Sequence, residues 1–107
     1  MAFDKSKFIA QFKAETLEHL QKMNDGLLKL EKDPGNRELL EWMMREAHTI
    51  KGSATMMGYK RIAGITHEME TGLEKAMKGT VSLKKAHFDI LFKCLDGIPP
   101  LLEDKVT

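Results

Sequence analysis

A histidine, a lysine and a glycine stand close together in Ala47-His48-Thr49-Ile50-Lys51-Gly52-Ser53-Ala54. Imidazole is the side chain whose ordinary titration lies nearest neutral pH, and its neutral form carries a nucleophilic nitrogen. An ammonium one helical turn away, on Lys51, offers a point cation to an anionic reagent. Further along, His67 and Glu70 form a His-x-x-Glu pair. A carboxylate that accepts a hydrogen bond from one ring nitrogen fixes the tautomer and leaves the other nitrogen's lone pair free. It also offsets positive charge as that charge develops on the ring. Capture of an anionic group by His48 is the chemistry this combination allows.

The residues around these groups predict helices. Ile9, Phe12, Thr16, Leu20, Met23, Leu27 and Leu30 alternate steps of three and four, which draws one stripe along a helix over about Asp4 to Lys32. Asp33-Pro34-Gly35-Asn36 breaks it, with Asn36 placed to cap the next helix. The second helix, Arg37 to Met57, has the stripe Leu40, Met43, Ala47, Ile50, Ala54 and Met57, and Gly58 as its stop. The third, about Lys60 to Lys78, has Ile62, Ile65, Met69, Leu73 and Ala76, and stops at Gly79. Ser82 is the expected cap of the fourth, whose apolar face is Leu83, Phe88, Leu91 and Leu95 before Gly97. Pro99-Pro100-Leu101-Leu102 is suited to opening a short fifth helix, because proline is tolerated in a first turn. Short connections make neighbouring helices antiparallel, so the expected fold is all-α: an up-down four-helix bundle, one domain over residues 1–107.

On the second helix His48 lies about 100° around from Ala47, on the flank of the buried stripe. Met44, Lys51, Gly52 and Thr55 share that flank, so the imidazole is expected to be partly exposed. A glycine inside a helix costs roughly 1 kcal/mol against alanine. Gly52 therefore needs a reason: close packing of a neighbouring helix, or close approach of another surface to His48. On the third helix His67 and Glu70 sit one position off the stripe. If the two helices turn back on each other through Gly58, Glu70 reaches one ring nitrogen of His48 and Lys51 offsets charge on an incoming phosphoryl group.

Composition narrows the function. Of 107 residues, 42% are hydrophobic and 31% charged, an ordinary globular balance. A net charge of +1 gives no reason to expect nucleic acid or an acidic membrane surface. The single Cys94 makes no internal disulfide, which fits a cytoplasmic setting. No apolar run approaches the roughly 20 residues of a membrane span, and the opening MAFDKSKF lacks the apolar core of a secretory signal. There is no phosphate-binding glycine loop or nucleotide-binding strand-turn-helix, so ATP has to be held elsewhere.

His19 and His87 are read as structural. A metal site of the di-iron bundle kind needs Glu-x-x-His twice, and here one pair occurs in the reverse order. Met43, Met44, Met56, Met57 and Met69 read as adaptable core filler, and Cys94 as core. A helical docking domain in which His48 is incidental remains the third alternative.

His48-Thr49-Ile50-Lys51-Gly52-Ser53-Ala54 followed by Met57-Gly58-Tyr59 resembles the histidine-containing phosphotransfer (HPt) domain family. The later His67-Glu68-Met69-Glu70 makes it most similar to the type at the N-terminus of chemotaxis histidine kinases. The resemblance implies that His48 is the phosphoacceptor, that Lys51 assists near the phosphoryl group, and that Glu70 with His67 tunes the imidazole. It also implies a partner-docking role for Gly52, Arg45 and Thr55. It implies no intrinsic cofactor, with ATP on a kinase ATP-binding domain and magnesium on the receiver domain of a response regulator. The module itself is then a phosphocarrier, monomeric when isolated, without nucleic-acid or membrane contact. Because the sequence stops soon after Leu102, a kinase fragment, a free-standing module and a hybrid-kinase module are all compatible with the resemblance.

Overall fold

A computed structural model describes residues 5–103. It contains α1 (Lys5–Lys32), α2 (Arg37–Met57), α3 (Lys60–Met77) and α4 (Lys85–Leu101), and no strand among the described residues. The helices lie along a body 51 Å long and about 20 Å across, as an antiparallel bundle. The stripes read from the sequence form its core: Phe12, Leu20, Met23, Leu27 and Leu30 from α1 meet Leu40, Met43, Ala47, Ile50 and Ala54 from α2.

The α2–α3 hairpin is the most extensive pairing, and its ends are tied by specific bonds. At the start of α2 the Asn36 side chain accepts the Leu39 N–H at 3.0 Å, as a capping residue should. At its end Gly58 takes φ 85°, the Gly58 N–H donates to the Thr55 carbonyl at 3.2 Å, and the Tyr59 N–H donates to the Ala54 carbonyl at 2.8 Å. That pair of bonds is the Schellman motif. It turns the chain into α3 within two residues. At the far end the Arg37 guanidinium donates to the Met77 carbonyl at 3.1 Å, closing the hairpin.

Four expectations need correction. In α3 the buried position falls on Thr66, whereas Ile65 is half-buried. Thr66 tolerates this because its hydroxyl donates back to the Ile62 and Ala63 carbonyls at 2.9 and 3.1 Å. Ser82 does not cap α4, which begins three residues later at Lys85. There the Lys84 N–H donates to Nδ1 of His87 at 2.9 Å while the His87 N–H donates to the Lys84 carbonyl at 2.9 Å, so no side-chain oxygen does what Ser82 was expected to do, and Leu83 lies in the connection. Gly97 does not end α4 either, and Pro99-Pro100 opens no separate fifth helix among the described residues. The reason is the apolar stripe, which runs on from Leu91 and Leu95 through Ile98 to Leu102, both almost fully buried. Burying those two side chains outweighs the hydrogen bonds that two prolines cannot make in a last turn. The fourth correction concerns Met56, read as core filler but 85% exposed.

A close approach unanticipated from the sequence pins α1 to α2. Gly26 is buried, and a Cβ built on it would stand 2.7 Å from the indole of Trp42. The missing side chain is the space the Trp42 ring occupies.

Candidate functional site

His48 projects from the flank of α2, one step off the buried line Ala47, Ile50, Ala54. Its side chain is 67% exposed. Glu70 leaves the corresponding flank of α3, and the short Gly58 turn sets the two helices in the register at which they meet. Nδ1 of His48 donates to Oε2 of Glu70 at 2.8 Å. The other carboxylate oxygen, Oε1, accepts from Nζ of Lys51 at 2.6 Å. One carboxylate thus bridges an imidazole and an ammonium that lie one turn apart on the facing helix. Lys51 and Glu70 are both largely covered, while the ring they hold stands out into solvent.

Burial pushes the Glu70 carboxyl up, but the hydrogen bonds from Lys51 and His48 and the nearby charge together hold it below its ordinary value of 4.5. At neutral pH it is the ionised acceptor. In the neutral ring, Nδ1 therefore carries the hydrogen and Nε2 the free lone pair.

The structure separates the other residues singled out in the sequence. Gly52 is exposed, and a Cβ placed on it meets nothing within 4 Å, so close packing of a neighbouring helix does not account for it. Arg45 is exposed and paired with Glu41 at 2.9 Å, one turn back. The Thr55 hydroxyl donates to the Lys51 carbonyl at 2.8 Å, a backbone bond on the same outer flank. His67 lies exposed on α3, and its ring makes no hydrogen bond or ion pair with His48, Lys51 or Glu70. The sequence paired Glu70 with His48 and missed that Glu70 also holds Lys51. The signal was available, since Lys51 lies on the α3 side of His48.

A second histidine–carboxylate contact joins α1 to α2, with Nδ1 of His19 donating to Glu46 at 3.1 Å. Its ring is more covered than His48, with 30% of the side chain exposed, as suits a link between helices. Among the described residues no three or more His, Cys, Asp or Glu side chains converge in a way that would hold a metal ion. Cys94 is half-buried beside the core, and burial, followed by the Glu68 charge, pushes its thiol up. No helix among the described residues is long and apolar enough to cross a membrane.

Comparison with known proteins shows the family and the fold. Residues 7–103 match the Hpt domain family. The chemotaxis protein CheA of Listeria monocytogenes is 39% identical over 93 residues, covering 87% of this chain and 15% of that protein. CheA of Bacillus subtilis is 37% identical over 100 residues, covering 94% of this chain and 15% of that protein. This chain thus spans about 15% of the length of these relatives. Among solved structures, the CheA phosphotransferase domain from Thermotoga maritima superposes with a TM-score of 0.89 at 34% identity, covering 94% of this chain and 96% of that one. An exposed imidazole steered by a carboxylate on a four-helix bundle, together with these matches, places the chain in the histidine-containing phosphotransfer (Hpt) domain family.

Proposed function

We propose that this chain is a phosphocarrier of chemotaxis-type two-component signalling, with His48 as the residue that takes and gives the phosphoryl group. The observation that carries the reading is the 2.8 Å bond from His48 Nδ1 to Glu70 on a ring otherwise open to solvent. The bond directs the Nε2 lone pair outward. In-line attack of Nε2 on the γ-phosphorus of ATP forms an N–P bond as the P–O bond to ADP breaks. The ring keeps its Nδ1 hydrogen and gains positive charge, which the Glu70 carboxylate offsets. No proton has to leave. In the second step an aspartate oxygen of a magnesium-loaded receiver domain attacks the same phosphorus, and the ring departs as neutral imidazole.

Transfer of this kind demands positioning more than covalent work by the carrier. A rigid helix that holds Nε2 clear of other side chains meets that demand, and each partner domain brings the rest of its own active site. Lys51 acts through Glu70, keeping the carboxylate ionised and aimed at the ring. Gly52 leaves the approach to His48 open, with Arg45 and Thr55 on the surrounding surface, and His67 lies within a turn of Glu70 at the edge of that surface. The 107 residues work as one cytoplasmic module that receives its phosphoryl group from a histidine kinase ATP-binding domain and does not catalyse the reaction alone.

The test is direct. The chain is incubated with a chemotaxis-type kinase ATP-binding domain and labelled ATP, and the expected product is an acid-labile phosphate on His48. Equal labelling of His48→Gln would overturn the assignment.

A further inference from the structure

Glu70 leaves the flank of α3 that faces α2, where it holds His48 and Lys51. The opposite flank, turned toward α4, carries Glu68, Gly72 and Lys75 at steps of four and three, in one line along the helix. Between that line and α4 runs a groove of about 340 Å³, walled by Met69, Leu83, Leu91 and Cys94, with Ile90 at its edge.

Two features of this groove serve no packing among the described residues. A Cβ placed on Gly72 meets nothing within 4 Å, although glycine costs a helix roughly 1 kcal/mol against alanine. Ile90, across the groove from that hollow, is 60% exposed. The ends of the line carry opposite charges. Glu68 and Lys75 are exposed, stand about 10 Å apart along the helix, and make no ion pair with any other described residue.

The face is self-complementary. A second copy, related by a twofold axis that crosses α3 and α4 over Gly72, lays its α3 antiparallel on the first. Glu68 of each copy then meets Lys75 of the other, the two glycines let the helices approach, and the Ile90 side chains leave water over the grooves. A partner surface of a single sign would set one of the two charges against its like. A second copy satisfies both at once.

We infer that the α3–α4 groove is a self-association face, through which two copies of this chain pair about a twofold axis. Two helices, each about 10 Å wide, paired over a few turns cover less than the roughly 1,200 Å² of a stable interface, so the pairing is reversible and needs high local concentration. His48 lies beyond the other flank of α3 and stays open in the pair, so the inference does not depend on the phosphocarrier reading.

Sedimentation velocity of the whole chain, from micromolar to millimolar concentration, tests this. The wild type is expected to move reversibly from monomer toward dimer. Glu68→Lys and Lys75→Glu should each raise the dissociation constant about tenfold or more, because one substitution sets like charges together at two symmetry-related contacts. The double variant exchanges the charges and should return the constant to within about threefold of wild type. Ile90→Asp should abolish pairing. The substituted side chains are exposed, and matched melting curves confirm that each variant keeps the fold. A chain that stays monomeric at millimolar concentration overturns the inference. A dimer that ignores the single reversals, or that the double variant fails to restore, also overturns it by placing the contact on another face.

Discussion

Glu70 accepts the Nδ1 hydrogen of His48 at 2.8 Å with one oxygen and holds Nζ of Lys51 at 2.6 Å with the other. The three groups come from two helices, and the carboxylate at their centre is the most covered of them. A carboxylate in that position has little freedom to swing away, so the direction of the imidazole is set by the α2–α3 packing. Orientation of the ring is thus a property of the hairpin.

Replacing Glu70 by alanine should slow phosphorylation of His48 by roughly 10- to 100-fold, the scale of loss when a carboxylate orienting a functional histidine is removed. Folding should survive, because Glu70 lies off the α3 core line Ile62, Thr66, Met69 and Leu73. Labelling rates with a kinase domain and ATP, beside thermal melting of both proteins, check this. An unchanged rate would mean that the contact does not steer the ring.

The lowered titration of Glu70 carries a sign. A carboxylate held below its unfolded value stabilises the fold where it is ionised in both states, above about 4.5, and that stability is lost as pH falls through the lowered folded value. Lys51→Met removes one of the two hydrogen bonds that depress it. In a carbon-detected NMR titration the Glu70 carboxyl should therefore protonate at higher pH in Lys51→Met than in wild type. Coincident curves would separate Lys51 from the carboxylate.

Most of the bundle is legible because its stripes are regular and because α2 carries conventional punctuation at both ends. Arg37 to Met57 was bounded on both sides by residues with one strong local preference, Asn36 and Gly58, and the structure keeps those limits. Glu70 and His48 were legible as partners because a two-residue turn leaves antiparallel helices little choice of register. The fourth helix departs from its sequence signals at both ends: burial of Ile98 and Leu102 carries it past Gly97, and it starts at Lys85 with no side-chain oxygen capping it, His87 accepting the Lys84 N–H. The sequence gives the flank on which the long Lys51 side chain lies but not its bond to Glu70, which the structure adds. Met56 has the residue type of a core filler, but it falls outside the stripe that Ala47, Ile50 and Ala54 define and is exposed.

Gly26 illustrates a constraint that periodicity does not reveal. Its missing Cβ lies where Trp42 Cζ3 would be only 2.7 Å away, with the Met43 sulfur at 3.0 Å. Gly26→Ala gains about 1 kcal/mol of helix propensity. It must then displace an indole wedged between α1 and α2, for which overpacking costs of about 1–3 kcal/mol are usual. The expected result is a net loss of stability and a shift in Trp42 fluorescence. A higher melting temperature with unchanged fluorescence would contradict the close approach.

Gly52 should behave in the opposite way. An alanine there meets nothing within 4 Å, so Gly52→Ala keeps the helix-propensity gain of about 1 kcal/mol. For a domain of this size that corresponds to a rise in melting temperature of about 4–8 °C. The same empty space lies beside the imidazole, where a partner must come within bonding distance of Nε2. A bulky side chain, as in Gly52→Trp, should therefore leave the fold nearly as stable as wild type while cutting transfer to a receiver domain by about tenfold or more, the effect of a clash costing at least 1.4 kcal/mol. Melting curves and transfer rates on the same samples separate the two effects. If Gly52→Trp transferred at the wild-type rate, the glycine would serve neither packing nor docking, and its cost to the helix would stand without a function.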